Sequence, residues 1–183
     1  MQLQWEESLL LKEETEIRDY FDNDRRKLFI LAKGFDPRMC RGLKCFLQFA
    51  PDIHVALVNY SETPKSTSHT YASDSHVNLH EFNQICKHEN VDEMEFSMWK
   101  EESGRKTSLV KQKLGKYFTK EYLEPYDEII VDMSAMPRSI YTVLIKLLYK
   151  RRGNKRLSIL VCENSMFDDS IIPTNTFEDA GFL

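Results

Sequence analysis

Short runs of consecutive apolar residues alternate along the chain with longer segments of helical periodicity. Continuous apolar runs lie within Lys27–Ala32 and Glu128–Asp132, and such runs are typical of strands buried on both faces of a parallel sheet. Further strands are predicted at Ile53–Asn59 and Leu157–Cys162. The segment Met94–Trp99 alternates between apolar and polar residues instead. This alternation predicts a third strand at an edge of the sheet, with one wetter face.

The intervening segments predict helices, and the clearest is Pro137–Arg152, whose apolar residues repeat at helical spacing. Helices are also predicted for residues 1–26, 37–50, 79–88 and 107–123, with a long polar loop at 61–75. Alternation of strands and helices predicts an α/β fold, Rossmann-like and doubly wound, with a mainly parallel five-stranded sheet flanked by helices. The expected strand order is 3-2-1-4-5. The domain spans 27–168, after a helical extension (1–26) and before a tail (169–183).

Composition narrows the class of protein. A chain of 183 residues is long enough for one domain with its own core. The net charge of -4 argues against a protein that coats nucleic acid through general electrostatics. No apolar stretch approaches the length of a membrane span, the start does not resemble a signal peptide, and the four cysteines show no disulfide spacing. These features predict a cytoplasmic protein with reduced thiols and no membrane contact.

The first strand is followed by a turn whose residues are typical of anion binding. Gly34 permits a tight turn and a close backbone approach. Asp36 is a favourable N-cap, Pro37 suits the first helical position, and Arg38 follows. Free amides at a helix start, together with a guanidinium group, form a site for an anion such as phosphate. Gly34, Asp36 and Arg38 are therefore predicted ligand-binding residues.

The fourth predicted strand ends in a second turn of the same kind. Asp132 ends the strand, Ser134 supplies a hydroxyl group, and Pro137 and Arg138 open the next helix. Met136 occupies the N-cap position but cannot cap, so either Ser134 reaches back to the free amides or a ligand binds them. We predict Ser134 and Arg138 as ligand contacts. Asp132 is a candidate general base, or a stabiliser of a cationic sugar transition state.

Two further strand ends carry chemistry that would converge on the same edge. Gly104 and Arg105 precede a predicted helix and resemble a phosphate-contacting turn, although the upstream glycine of a P-loop is absent. Glu163 and Asn164 follow the fifth strand, and Glu163 is the second candidate for acid–base chemistry. Ligands of doubly wound sheets bind beyond the carboxyl ends of the strands, where the strand order reverses. A phosphate-bearing ligand such as a nucleotide is therefore expected there.

Each of these features also has a purely structural interpretation. Asp-Pro at a helix start is common capping chemistry, and Arg38 and Arg138 could pair with Asp132 and Asp36 merely to fix the loops. The basic run at 150–156 could contact nucleic acid, but it is better explained by the helix C-terminus that it complements. No metal site is predicted, because a cluster of four histidines is better interpreted as surface residues: His69, His76, His80 and His88.

The motifs together resemble a poorly characterised group of bacterial Rossmann-like proteins. The resemblance is carried, in chain order, by Gly34-Phe35-Asp36-Pro37-Arg38, Gly104-Arg105, Asp132, Ser134, Pro137-Arg138, Glu163-Asn164 and Asp168, and it spans residues 27–168. It implies a Rossmann-like fold with its site at the strand ends, and an association with bacterial defence. It implies no particular activity.

Two functions fit these observations. In the first, the domain binds a nucleotide-like phosphate ligand at the strand-end edge and senses or processes it, as a component of a bacterial defence system. In the second, it is a non-catalytic subunit that docks a larger partner protein. A protein partner or a homo-oligomer is expected in either case. The sequence does not decide whether the protein is an enzyme, and it predicts no particular cofactor.

Overall fold

A computed structural model describes residues 14–21, 24–61, 70–102 and 105–162. For residues 88, 102, 105 and 106 it describes the backbone only. The strands are β1 (Lys27–Ala32), β2 (His54–Ser61), β3 (Val91–Ser97), β4 (Trp99–Glu102), β5 (Arg105–Ser108), β6 (Glu128–Asp132) and β7 (Arg156–Leu160). The helices are α1 (Glu14–Phe21), α2 (Arg41–Leu47), α3 (Ala72–Ile85), α4 (Val110–Tyr117), α5 (Lys120–Leu123) and α6 (Arg138–Arg151).

Five of the strands form one parallel sheet in the order β3-β2-β1-β6-β7. The central strand β1 pairs with β2 on one side and with β6 on the other, so that Ile30 lies between Ala56 and Val131. This order confirms the predicted Rossmann-like, doubly wound architecture. The strand order reverses between β1 and β6, which places the predicted switch point at the centre of the sheet.

The sheet separates two hydrophobic cores, because successive side chains of each strand point to opposite faces. On one face Phe29 and Leu31 of β1 pack with residues of α1, α2 and α3. On the other face Leu28 and Ile30 pack with residues of α4, α5 and α6. Every residue of β1 and of β6 is buried, which explains why both segments are apolar without alternation.

The strand β3 lies at one edge of the sheet, as its alternating pattern predicted. Met94 and Phe96 are buried, whereas Glu93, Glu95 and Ser97 between and beside them are exposed. Edge strands have one neighbour only, and their outward side chains face water.

The segment after β3 differs from the prediction of a turn followed by a helix from about residue 107. Arg105–Ser108 form β5, which pairs antiparallel with β4, so that Lys100 lies opposite Thr107. The hairpin is closed at its base by the Leu109 amide, which donates to the Met98 carbonyl over 2.8 Å. The helix begins at Val110 and is divided, since the Thr119 side chain accepts from the Tyr122 amide and caps α5. The prediction that Arg105 lies at the start of a helix is therefore wrong.

Other boundaries shift by less. The helix expected at 37–50 is regular only over α2, because its first residues form a separate turn around Asp36. The helix α3 begins at Ala72, inside the predicted polar loop, and ends at Ile85. Of the predicted N-terminal helix, residues 14–21 and 24–26 are described. Residues 14–21 are helical, whereas 24–26 are irregular before β1, so the predicted helix extends too far. The tail 169–183 lies outside the described residues.

The basic run at the end of α6 is used within the fold. Arg151 donates to the carbonyl oxygens of Gly115 and Phe118 at the end of α4 (2.8 and 2.6 Å). Lys155 donates to the Tyr126 carbonyl (2.7 Å), and Arg156 pairs with the buried Glu128 (3.3 Å). These contacts support the structural interpretation of the run, since cations complement the free carbonyls of a helix C-terminus.

Neither a metal site nor a membrane-spanning helix is found among the described residues. Within the described ranges, no cluster of three or more histidine, cysteine or acidic side chains could hold a metal ion. No described helix combines the length and the apolar character that crossing a membrane requires.

Candidate functional site

The loops that follow β1 and β6 lead to opposite faces of the sheet and touch each other where they leave it. A β-carbon built on Gly34 would lie 2.4 Å from the carbonyl oxygen of Ala135 and 3.0 Å from its side chain. Only glycine permits so close an approach between two backbones. The two turns singled out by sequence are therefore neighbours, as predicted for the switch point.

Asp36 and Arg38 pair with each other within the first loop. The Arg38 Nε and Nη2 donate to the two carboxylate oxygens of Asp36 over 2.9 and 2.6 Å, and the Arg38 amide donates to Asp36 Oδ1 over 2.9 Å. Partial burial raises the pKa of Asp36, but the hydrogen bonds and charge of Arg38 outweigh it, and the pKa lies below its ordinary value. The expected pairing of Arg38 with Asp132 across the loops is thus replaced by a local pair.

Arg38 also links this loop to the far side of β6. Its Nη1 donates to the carbonyl oxygen of Cys162, just beyond the end of β7, over 3.1 Å. Because β6 lies between β1 and β7, the guanidinium group crosses the carboxyl end of the strand that carries Asp132. Arg38 therefore links the loop after β1 to the segment after β7.

We expect Arg38→Ala to lower the free energy of unfolding by about 2 kcal/mol, because it removes charge-assisted hydrogen bonds from a half-buried pair. Arg38→Lys should recover little of this loss, since a single ammonium group cannot reproduce the planar contact. Urea unfolding of the three proteins checks the prediction. An Arg38→Ala protein as stable as the wild type would show that the pair is dispensable.

Asp132 lies almost completely inside the protein, with 2% of its surface exposed. Its Oδ1 accepts from the Ser134 amide over 2.9 Å, whereas its buried Oδ2 has no hydrogen-bond partner among the described residues. Burial raises the pKa of Asp132 to about 6, although the Ser134 hydrogen bonds and the Arg38 charge partly offset this effect. The side chain lies beneath the first turn of α2, where a β-carbon on Gly42 would come within 2.5 Å of Oδ2.

Ser134 does not cap the helix that follows it. Its Oγ accepts from the Cys162 amide over 2.8 Å and so continues the contact between β6 and β7. The N-cap of α6 is Pro137, one residue later than expected, and its side chain cannot accept a hydrogen bond. Of the two possibilities raised by the sequence, the one in which Ser134 satisfies the helix amides is wrong.

The start of α6 consequently has free donors. The amides of Ile140 and Tyr141 donate to the Pro137 carbonyl, but those of Arg138 and Ser139 have no acceptor within the part of the chain that is described. The Arg138 side chain is exposed beside them. Unsatisfied amides at the positive end of a 14-residue helix dipole attract an anion.

Sequence reasoning missed Asn78 and the aromatic ring at Tyr71. The buried Asn78 Nδ2 donates to the carbonyl oxygens of Gly34 and Asp36, each over 2.9 Å. It thus anchors the first loop to α3. The sequence predicted that α3 begins at residue 79. Asn78 therefore lay outside the predicted helix, and its inward orientation was not predicted.

The remaining predicted residues are not placed at the site. Gly104, Glu163 and Asn164 lie outside the described residues. Arg105 belongs to the tip of the β4–β5 hairpin, and its side chain is not described. Their roles stay predictions.

The cysteines near the site are not activated. Burial raises the pKa of Cys40 to about 12, and burial with the charge of Asp132 raises that of Cys162 above its ordinary value. Thiols with raised pKa values are poor nucleophiles at neutral pH.

No protein-family model and no curated protein matches the chain. Among solved structures, a protein from the universal stress protein family of Burkholderia pseudomallei aligns with a TM-score of 0.38 at 13% identity, covering 76% of this chain and 99% of that chain. A universal stress protein in complex with cAMP aligns with a TM-score of 0.37 at 8% identity, covering 76% and 98%. Likenesses this loose carry no argument about ligands, and the fold assignment rests on the strand order itself.

Proposed function

We propose that the carboxyl-end edge of the sheet binds a phosphate-bearing, nucleotide-like ligand. The observation that carries the proposal is the start of α6, where two backbone amides without an acceptor in the described part of the chain lie beside the exposed side chain of Arg138. Such a group of donors matches the oxygens of a phosphate. The position also supports it, since ligands of doubly wound sheets bind where the strand order reverses.

The two Pro-Arg turns have different roles in this proposal. In the first, the Arg38 side chain and amide bind Asp36, and the amides of Met39 and Arg41 donate to carbonyl oxygens of the same turn. In the second, the Arg138 and Ser139 amides have no acceptor among the residues that the structure describes. The phosphate is therefore assigned to the second turn, while the first shapes the wall beside it.

Sensing of the ligand is favoured over its turnover. Asp36 is neutralised by Arg38, and Asp132 is enclosed beneath α2, so neither described carboxylate is presented as an exposed general base. A role for Glu163 in catalysis and a place in bacterial defence stay predictions. The alternative of a subunit that docks a larger partner protein is distinguished by the same experiment.

The proposal is tested by thermal unfolding with AMP, ATP and ribose 5-phosphate. At a ligand concentration of 100 times the Kd, binding adds about 2.7 kcal/mol of stability, or roughly 5–10 °C in Tm for a chain of this size. Arg138→Ala should abolish most of this shift. Lys150→Ala is the matched control, because Lys150 is an exposed cation at the other end of α6.

Equal Tm shifts in Arg138→Ala and Lys150→Ala would show that the ligand does not bind at the start of α6. The wild type would be assigned the docking role instead if none of the three compounds shifted its Tm and a larger protein co-purified with it.

A further inference from the structure

Two aromatic rings stack on each other at the protein surface beside the proposed site. Phe35 and Tyr71 lie 4.6 Å apart between ring centroids, with an angle of 21° between the ring planes. Phe35 is 44% exposed and Tyr71 is 46% exposed. A phenylalanine ring is normally buried, and a near-parallel exposed pair leaves a flat apolar surface in contact with water.

The position of this pair is set by the interior of the protein. Phe35 lies between Gly34 and Asp36, whose carbonyl oxygens both accept from the buried Asn78 of α3. Tyr71 is the residue that immediately precedes α3. The same helix therefore fixes the loop that carries one ring and supports the other, so the stacked surface is held without burying it.

The loop that carries Phe35 also touches the loop that leads into α6. Gly34, next to Phe35, touches Ala135, and Ala135 is three residues before Arg138. We infer that Phe35 and Tyr71 are the stacking surface for a planar base, which makes the ligand a nucleotide rather than a sugar phosphate. The inference rests on the proposed phosphate site at α6 and deepens it.

A nucleotide is favoured over an apolar protein segment as the occupant, because it would use both features together. Its base would extend the aromatic stack, and its phosphate would take the free amides and the Arg138 charge. An apolar segment would cover the rings and leave the helix donors unsatisfied. Stacking accepts any base, since every base has a π face, and a larger purine should bind more tightly than a pyrimidine.

The test is a titration calorimetry series with AMP and ribose 5-phosphate, which share the phosphate and differ in the base. The wild type should bind AMP at least 10-fold more tightly than ribose 5-phosphate. Phe35→Ala and Tyr71→Ala should each weaken AMP binding by roughly 10-fold and leave ribose 5-phosphate binding unchanged. Phe35→Leu should behave like Phe35→Ala, because it keeps apolar volume and removes the ring.

The control is Tyr117→Ala, which removes an exposed ring from α4 and should leave both affinities unchanged. Equal affinities of the wild type for the two compounds would overturn the base assignment and leave the phosphate site standing. Failure of both compounds to bind would overturn the phosphate site and the base assignment together.

Discussion

Replacing Gly34 with alanine is expected to lower the free energy of unfolding by about 3 kcal/mol, the upper range of overpacking in a closely packed interior. The added β-carbon would lie 2.4 Å from the Ala135 carbonyl oxygen, and a backbone atom cannot move aside as the end of a side chain can. The loops after β1 and β6 must then separate. Urea unfolding measures the loss of stability, and the separation should also weaken any ligand bound between the loops.

Gly115→Ala provides the matched control for this substitution. Gly115 lies within α4, and the nearest heavy atom to its added β-carbon, Arg151 Nη2, is 3.9 Å away. Alanine there should raise the free energy of unfolding by about 0.5–1 kcal/mol, because glycine is unfavourable inside a helix. A Gly34→Ala protein that matched the wild type in stability would mean that the two loops are not in contact in solution.

Asp132→Asn is expected to stabilise the protein at neutral pH and to leave it unchanged in acid. Burial raises the pKa of Asp132 from 3.8 to about 6, so between these values the folded protein holds a proton that the unfolded chain has released. The free energy of unfolding therefore falls as pH rises from about 4 to about 6. The total loss is about 3 kcal/mol, and a neutral amide at this position would not incur it.

The measurement is urea unfolding of both proteins at intervals from pH 4 to pH 8. Asp36→Asn is the control of opposite sign, because Arg38 keeps the pKa of Asp36 below its ordinary value. Asp36 therefore stabilises the fold above its ordinary pKa and loses this effect as the pH falls, so Asp36→Asn should destabilise at neutral pH. Parallel profiles for the wild type and Asp132→Asn would contradict the burial of an ionised carboxylate.

The sheet could be predicted from the sequence because strands that are buried on both faces have continuous runs of apolar residues. Residues 28–32 of β1 and 129–131 of β6 are continuously apolar, whereas β3 alternates because it lies at an edge. The reversal of strand order then follows from the preference for short, right-handed crossovers. With the order known, the neighbouring positions of Gly34 and Ser134 could be predicted as well.

The β4–β5 hairpin could not be predicted in this way. Its residues are mostly polar, and its stability comes from pairs such as Lys100 with Thr107 that form only between segments already brought together. The partner of Arg38 was equally undetermined, because Asp36 and Asp132 are both close enough in the fold to compete for a guanidinium group. In the structure, the Arg38 guanidinium group pairs with Asp36.

The difference between the two Pro-Arg turns could not be predicted for a related reason. Both Pro-Arg turns look alike in sequence, yet in the first Asp36 binds the amide and guanidinium of the arginine, whereas the Arg138 and Ser139 amides of the second have no acceptor among the described residues. The hydrogen bonds from Asn78 to the loop that carries Phe35 likewise join distant segments of the chain. Contacts between segments far apart in the chain produce no periodic pattern in the sequence.

The pairing of β1 with β6 has a consequence for how the protein is made. At its start the Arg26 amide donates to Asp127 across 101 residues of chain, and Lys27 lies opposite Glu128. While the chain grows from its N-terminus, β1 can join β2 early, but its other side stays an uncovered apolar edge until β6 has been synthesised. Exposed strand edges of this kind invite pairing between chains. Nascent chains of this protein are therefore expected to depend on chaperone protection until synthesis passes Asp132.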